Sequence, residues 1–256
     1  FNHIPFPYSI LDCKSDQVVY YESVRGCPFR CSYCLSSIEK RMRPLHLDRV
    51  KAELGYFLHK KVMQVKFIDR TFNYDKERAM EIWRYLIEND NGVTNFHFEI
   101  CGDLLDKAAM DLLRGARKGL FQFEIGIQST HGPTLEAVNR STNIDKVKEN
   151  VRRLLALGNA HIHVDLIAGL PYEDYATFRK SFNDVYGLGA DNLQLGFLKM
   201  LKGTRIRREA EEHGFVYRDK APYEVISNKY LSAVELIQLK MVEEVLDLYS
   251  NRGGFG

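Results

Sequence analysis

Apolar and polar positions follow two periods along this chain. Stretches rich in Val, Ile, Phe or Tyr at 18–24, 64–69, 96–101, 121–128, 162–168 and 193–198 read as β-strands. Between them, residues 46–60, 76–88, 107–118, 143–157 and 175–188 carry apolar side chains at helical spacing. In the fourth of these, Ile144, Val147, Val151, Leu154 and Leu155 form one stripe, and residues 145–153 supply the charged side. Strands that alternate with helices imply right-handed βαβ crossovers and a parallel sheet covered by helices. Six such units predict an α/β fold, an incomplete barrel.

Beyond residue 201 the pattern weakens. It leaves a helical stretch at 205–212, an extended one at 214–218, a loop through Pro222 and a last helix from 232 to about 248. Leu236, Leu239, Val242, Val245 and Leu246 give that helix an apolar side. The expected organisation is an N-terminal linker arm at 1–17 with Pro5 and Pro7, a barrel at 18–204, and an extension at 205–256 packing on it.

Parallel strands buried on both faces should be almost continuously apolar, so polar residues that interrupt them carry information. Asp69, Glu99, Glu124, Gln128 and Asp165 are expected near the carboxyl ends of successive strands, the edge where parallel α/β sheets hold their sites. The chemistry that would sit there is suggested by Cys27, Cys31 and Cys34, spaced C-x3-C-x2-C directly after the first strand. A [4Fe-4S] cluster normally takes four thiolates, so three would leave one iron open to a substrate. The competing reading is a structural zinc completed by His46 or His59, although zinc pairs usually come with a second pair further on.

Composition narrows the setting. With 256 residues, 45% hydrophobic and 27% charged, the chain is long enough for one large α/β domain. A net charge of +2 makes no general case for nucleic-acid or acidic-membrane binding. The basic runs Lys40-Arg41-Met42-Arg43 and 205–208 read as solvated loop or helix ends. Five cysteines, no signal peptide and no long apolar run argue for a reducing, cytoplasmic setting without a membrane. A cluster with exposed thiolates favours an anaerobic one. Cys13 and Cys101 are expected to be buried or incidental thiols. The start at Phe1 and the end at Gly253-Gly254-Phe255-Gly256 suggest a fragment of a longer protein.

With these residues in hand, the chain resembles the radical S-adenosylmethionine (SAM) enzymes from about Val18 to Thr204. The resemblance implies a partial (β/α)6 TIM-like barrel, in which Cys27, Cys31 and Cys34 hold a [4Fe-4S] cluster. SAM's amino and carboxylate groups chelate the fourth iron. Tyr33 matches the aromatic position that packs the adenine. Phe-Glu-Ile-Gly-Ile-Gln-Ser at 123–129, Asn139-Arg140 and Val-Asp-Leu-Ile-Ala-Gly-Leu-Pro at 164–171 look like oxygen-independent coproporphyrinogen III dehydrogenase and its relatives. By that likeness Glu99 and Arg140 hold the methionine amino and carboxylate groups, Gln128 and Asp165 bond the ribose, and backbone near Phe197 and Leu198 borders the adenine.

The segment Phe67-Ile68-Asp69-Arg70-Thr71-Phe72-Asn73 departs from the Gly-Gly-Glu-like motif many members carry. It looks like the F-x-D-x-x-F form of the branch with a cobalamin domain ahead of the radical domain, where Asp69 would assist at the SAM amino group. The arm Ile4-Pro5-Phe6-Pro7-Tyr8 looks like that branch's linker. The resemblance thus implies an enzyme that cleaves SAM reductively to a 5′-deoxyadenosyl radical, which abstracts hydrogen from a substrate that is a small molecule or unknown. It also implies a one-electron reductant such as flavodoxin or ferredoxin. The alternatives are a cobalamin-dependent methyltransferase, cobalamin being held by a domain outside this chain, and a non-catalytic zinc-binding barrel.

Overall fold

A computed structural model of the chain describes residues 2–11, 14, 16–39 and 41–252. The expectations for Cys13, for Lys40 and for the chain's last four residues fall outside the described residues. Six strands, β1 (Val18–Tyr21), β2 (Gln64–Phe67), β3 (Asn95–Ile100), β4 (Phe121–Gln128), β5 (His161–Ala168) and β6 (Asn192–Phe197), are hydrogen-bonded in chain order. The registers of β1 to β4 and of β5 with β6 are parallel. Helices α1 (Leu47–Lys60), α2 (Lys76–Glu88), α3 (Lys107–Leu113), α4 (Gly132–Ala137), α5 (Ile144–Leu157) and α6 (Tyr175–Tyr186) fill the connections. The architecture is the α/β partial barrel expected from the alternation.

The chain divides into two compact units. The first comprises Phe1–Pro28, Arg41–Ile125 and Glu149–Ile162; the second comprises Phe29–Lys40, Gly126–Lys148 and His163–Gly256.

In the first unit an aromatic core forms where the outer faces of the strands meet the helices. Phe57, Phe67, Phe72, Trp83, Phe96, Phe98, Phe121 and Phe123 are at most 2% exposed. The Phe98 ring centroid lies 4.5 Å from that of Phe67 and 4.3 Å from that of Phe72. Each fully buried Phe contributes about 1.5–3 kcal/mol. Both phenylalanines of the 67–73 segment are therefore core residues. Helix α2 starts where the Asp75 carboxylate accepts the Arg78 N–H. Helix α3 stops at Leu113, five residues short of the expected end. Gly115 is a poor helix former, and the N–H groups of Gly115 and Ala116 turn to carbonyls three residues back.

The strands correct one expectation. They are not apolar throughout with polar residues only at their ends; β4 and β5 alternate between buried and half-buried positions along nearly their full length. Helices cover only the outer face, so the inner face carries polar side chains all along. In the first unit these bond in layers. The Gln64 amide donates to Asn95 at 2.8 Å and to Gln122 at 3.3 Å. One residue pair higher, Glu124 lies 3.0 Å from His97 Nε2 and 3.4 Å from Lys66 Nζ.

Among the described residues no strand lies beside the outer edge of β1, and Tyr8 covers part of that edge. Its hydroxyl accepts the Tyr20 N–H at 3.0 Å and donates to the Tyr20 carbonyl at 2.8 Å. In the second unit Asn251 does the same for β6, accepting the Leu193 N–H at 3.1 Å and donating to its carbonyl at 3.0 Å. Tyr8, from the expected arm, thus covers the β1 edge at Tyr20.

The second unit continues through α7 (Arg205–Arg208), an antiparallel pair formed by Val216–Tyr217 and Val225–Ser227, and α8 (Ala233–Val245). Arg205 and Arg208 of α7 are exposed, as expected of a solvated end, whereas Arg207 is half-buried and donates to the Met200 carbonyl at 2.6 Å. A capping box of Ser232 and Glu235 begins α8. Leu236, Leu239 and Leu246 are buried as expected, but Val245 is 55% exposed. It shares the outer side of α8 with Val234, Ile237 and Met241.

Candidate functional site

Within the second unit, the segment carrying Cys31 and Cys34 is held by its backbone. Ser32 donates its N–H to the Val138 carbonyl at 2.9 Å and accepts the Ile206 N–H at 3.0 Å. The Asn139 amide donates to the Arg30 carbonyl at 3.1 Å, and the Ser37 hydroxyl to that of Cys34 at 2.6 Å. Cys31 is buried and Cys34 half-buried. The Arg140 guanidinium reaches the same place: Nη1 lies 3.6 Å from Cys31 Sγ and 3.4 Å from the Tyr33 hydroxyl, while Nη2 donates to the Gly126 carbonyl. Burial pushes the Tyr33 phenol above its usual range, against the pull of Arg140. Three of the expected site residues are thereby brought together.

Gln128 ends β4 beside them. Its φ of 71° lies in the left-handed region, which few residues other than glycine adopt. Its side chain folds back over Gly126, where any Cβ would collide with the Gln128 amide nitrogen. Its Oε1 is buried without a hydrogen-bond partner. Asp165 is half-buried on the inner face of β5, in register with Gln194. Both backbone groups of Leu198 are taken, the N–H by the Ala168 carbonyl at 2.9 Å and the carbonyl by the Val225 N–H at 3.1 Å.

The first unit holds Cys27, Asp69 and Glu99. Gly26, with φ of 106°, makes the turn before Cys27, and a Cβ there would stand 2.6 Å from the Arg41 carbonyl oxygen. Cys27 is buried, with Sγ 3.5 Å from Thr71 Oγ1. Asp69 is also buried and grips the segment leading into the cysteines. It accepts the Ser23 N–H at 2.7 Å, the Ser23 hydroxyl at 2.5 Å and the Val24 N–H at 3.1 Å. Burial raises its carboxyl from the ordinary value to about 7, although these bonds and Arg78 oppose the rise.

That shift has a measurable sign. The folded protein holds the Asp69 proton up to about pH 7, whereas an unfolded chain releases it near 3.8. The stability it contributes is complete below the lower value and lost as pH rises through the upper one. Asp69→Asn, which keeps the neutral shape, is expected to flatten the fall in melting temperature between those two values. A variant with the wild-type pH slope would show that Asp69 is ionised throughout.

Glu99 and Glu124 are register partners on β3 and β4 with opposite fates. Burial raises the Glu99 carboxyl, helped by the Glu124 charge and opposed by Arg70 at 3.9 Å. The His97 contact, with Lys66 behind it, holds Glu124 down to about 2. Sequence reasoning left Glu124 open between a substrate contact and a buried salt bridge, because His97 and Lys66 sit on other strands and only the register aligns them.

The donors suit a cluster. None of Cys27, Cys31, Cys34 and Cys101 is in a disulfide. Among the described residues no group of three or more His, Cys, Asp or Glu side chains is gathered around one point. A [4Fe-4S] cluster takes each thiolate on a different iron. His46 and His59, the proposed zinc completions, are exposed at opposite ends of α1. Cys101 is the buried thiol expected, 2.9 Å from Asp103. Among the described residues no helix is long and apolar enough to cross a membrane.

Comparison with known proteins accords with this geometry. The profile of the radical SAM superfamily matches residues 21–185, and that of a family described as a protein of unknown function (DUF4080) matches residues 211–256. The chain is 26% identical over 209 residues to the cobalamin-dependent radical SAM methyltransferase TokK of Streptomyces tokunonensis, covering 72% of this chain and 29% of that protein. It spans less than half the length of the curated relatives it matches. The radical SAM methyltransferase TsrM from Kitasatospora setae, solved with cobalamin and a [4Fe-4S] cluster bound, is similar in fold. Its TM-score is 0.69 at 18% identity, over 80% of this chain and 40% of that one. The Escherichia coli radical SAM enzyme coproporphyrinogen III oxidase (HemN) gives 0.63 at 17% identity, over 90% and 53%.

Proposed function

The chain belongs to the radical SAM superfamily, whose members are enzymes that use a [4Fe-4S] cluster and SAM, and from that premise we propose that it is the radical domain of a cobalamin-dependent methyltransferase. When bound, the cluster supplies one electron and SAM the 5′-deoxyadenosyl radical that takes hydrogen from the substrate. The observation that carries the reading is the Arg140 guanidinium set between Cys31 Sγ and Tyr33. There it anchors a carboxylate against the cluster's open iron, a role suited to a planar, permanently charged donor. Gln128 offers an unpaired acceptor to a ribose hydroxyl, with Asp165 as its partner in that task. Glu99, half-buried on the inner face of β3, takes the SAM amino group. Asp69 serves by holding the approach to Cys27. Cys27 and Cys31 are buried and Cys34 is half-buried, on a loop pinned by its backbone.

Methyl transfer is favoured over hydrogen abstraction alone by the relationship to TokK, together with the Phe67 to Phe72 motif. The acceptor is a small molecule held outside these anchors, and the electron comes from a carrier such as flavodoxin or ferredoxin. The test is anaerobic reconstitution, with iron and sulfide, of the protein that carries this chain together with a cobalamin-binding domain, then reduction with SAM and added cobalamin. Both 5′-deoxyadenosine and S-adenosylhomocysteine are expected. 5′-Deoxyadenosine alone would leave a radical enzyme without methyl transfer, and failure to assemble acid-labile sulfide would overturn both readings.

A further inference from the structure

Glu173 is fully buried in the second unit, and nothing in the chemistry above uses it. Its Oε1 accepts the hydroxyls of Ser129 and Ser181, each at 2.7 Å, and its Oε2 has no hydrogen-bond partner. Ser129 Oγ also accepts the His131 N–H at 3.0 Å, and Ser181 Oγ accepts the Thr130 N–H at 3.2 Å. One carboxyl group therefore ties three consecutive residues, the turn from β4 into α4, to helix α6. Burial pushes its pKa up, against the two serine hydroxyls. A buried acid with a bare oxygen weakens a fold unless something else depends on it.

What depends on it is the residue immediately before the turn. Gln128 combines a left-handed backbone with a buried, unpartnered Oε1. A strained residue persists only where its surroundings over-determine it. Ser129, the next residue, is gripped by Glu173. We infer that Glu173 is a positioning residue for SAM: through Ser129 it fixes the backbone at Gln128, so that the Gln128 amide presents its free oxygen to a ribose hydroxyl. This inference rests on the reading that Gln128 meets the ribose.

The experiment is calorimetric binding of SAM, and of its 2′-deoxy and 3′-deoxy analogues, to the cluster-loaded protein. The wild type is expected to prefer SAM over one analogue by roughly tenfold or more, because a site built for a hydroxyl is left with an unpaired group without it. Gln128→Ala sets the full loss of that preference. Glu173→Ala and Ser129→Ala should lose it equally while binding the deoxy analogue as before. Adding Glu173→Ala to Gln128→Ala should change nothing further, since the two act as one unit. Glu173→Gln, which still accepts both serine hydroxyls, should retain the preference.

If Glu173→Ala keeps the preference, or weakens SAM and its analogues in equal proportion, the positioning role is wrong. Should that variant fail to fold, Ser129→Ala and Glu173→Gln decide between them, one predicted to lose the preference and the other to keep it. If Gln128→Ala itself retains the preference, the ribose contact lies elsewhere and the inference falls with it.

Discussion

Replacing Cys31 with alanine is expected to abolish cluster retention in a chain that still folds. The two halves of that expectation rest on different atoms. The fold of the 29–34 segment is held by backbone groups of Ser32 and by the carbonyls of Arg30 and Cys34, none of which the substitution touches. Losing one buried sulfur removes packing worth about 1 kcal/mol, on the scale of a methylene. The cluster, by contrast, loses a third of its protein ligands. Iron and acid-labile sulfide, assayed beside circular dichroism after anaerobic reconstitution, separate the two effects. A folded variant that keeps the full complement of both would show that Cys31 is not a ligand.

Arg140→Ala should leave the cluster in place and weaken SAM binding strongly. No arginine atom is asked to bind iron, so iron and sulfide should be unchanged. A hydrogen bond to a charged group is worth about 1.5–3 kcal/mol, which corresponds to roughly 10- to 150-fold in affinity. Arg140→Lys should recover only part of the loss, because a single ammonium lacks the fork that spans Cys31, Tyr33 and the Gly126 carbonyl together. Titration calorimetry on the reconstituted variants reads this directly. If alanine binds SAM as the wild type does, the carboxylate anchor is another residue.

The alternation of strands and helices was legible in the chain, because each period is a local property of consecutive residues. So was the cysteine loop, whose ligands lie within eight residues of one another. Gln128 and Arg140 were legible as members of motifs. Their physical state was not: a φ of 71° and an orphaned oxygen belong to the fold around Gln128, not to the letter Gln. The polar inner face escaped notice for a related reason. The rule for strands buried on both sides assumes two apolar covers, and here Lys66, His97 and Glu124 complete one another across strands that are distant in sequence. Helix α4 was missed because its six residues, with Gly132 and Pro133, offer no full apolar period. Glu173 lay hidden in the same way. Beside Asp174, which caps α6, it reads as a second acid on a loop, and only its distance to Ser129 and Ser181 distinguishes it.

Tyr8 and Asn251 bear on how the chain avoids its own kind. The bare flank of a β-strand is a template for any other extended segment, and such pairing is the first step toward fibrils. Here each flank is blunted by one side chain carrying both a donor and an acceptor, and each of those residues lies outside the span from β1 to β6. Tyr8 and Asn251 thus occupy strand-edge groups that another extended segment would otherwise bond. A chain trimmed to its six strands and their helices would keep every cysteine of the triplet, yet it would carry two adhesive flanks into every encounter.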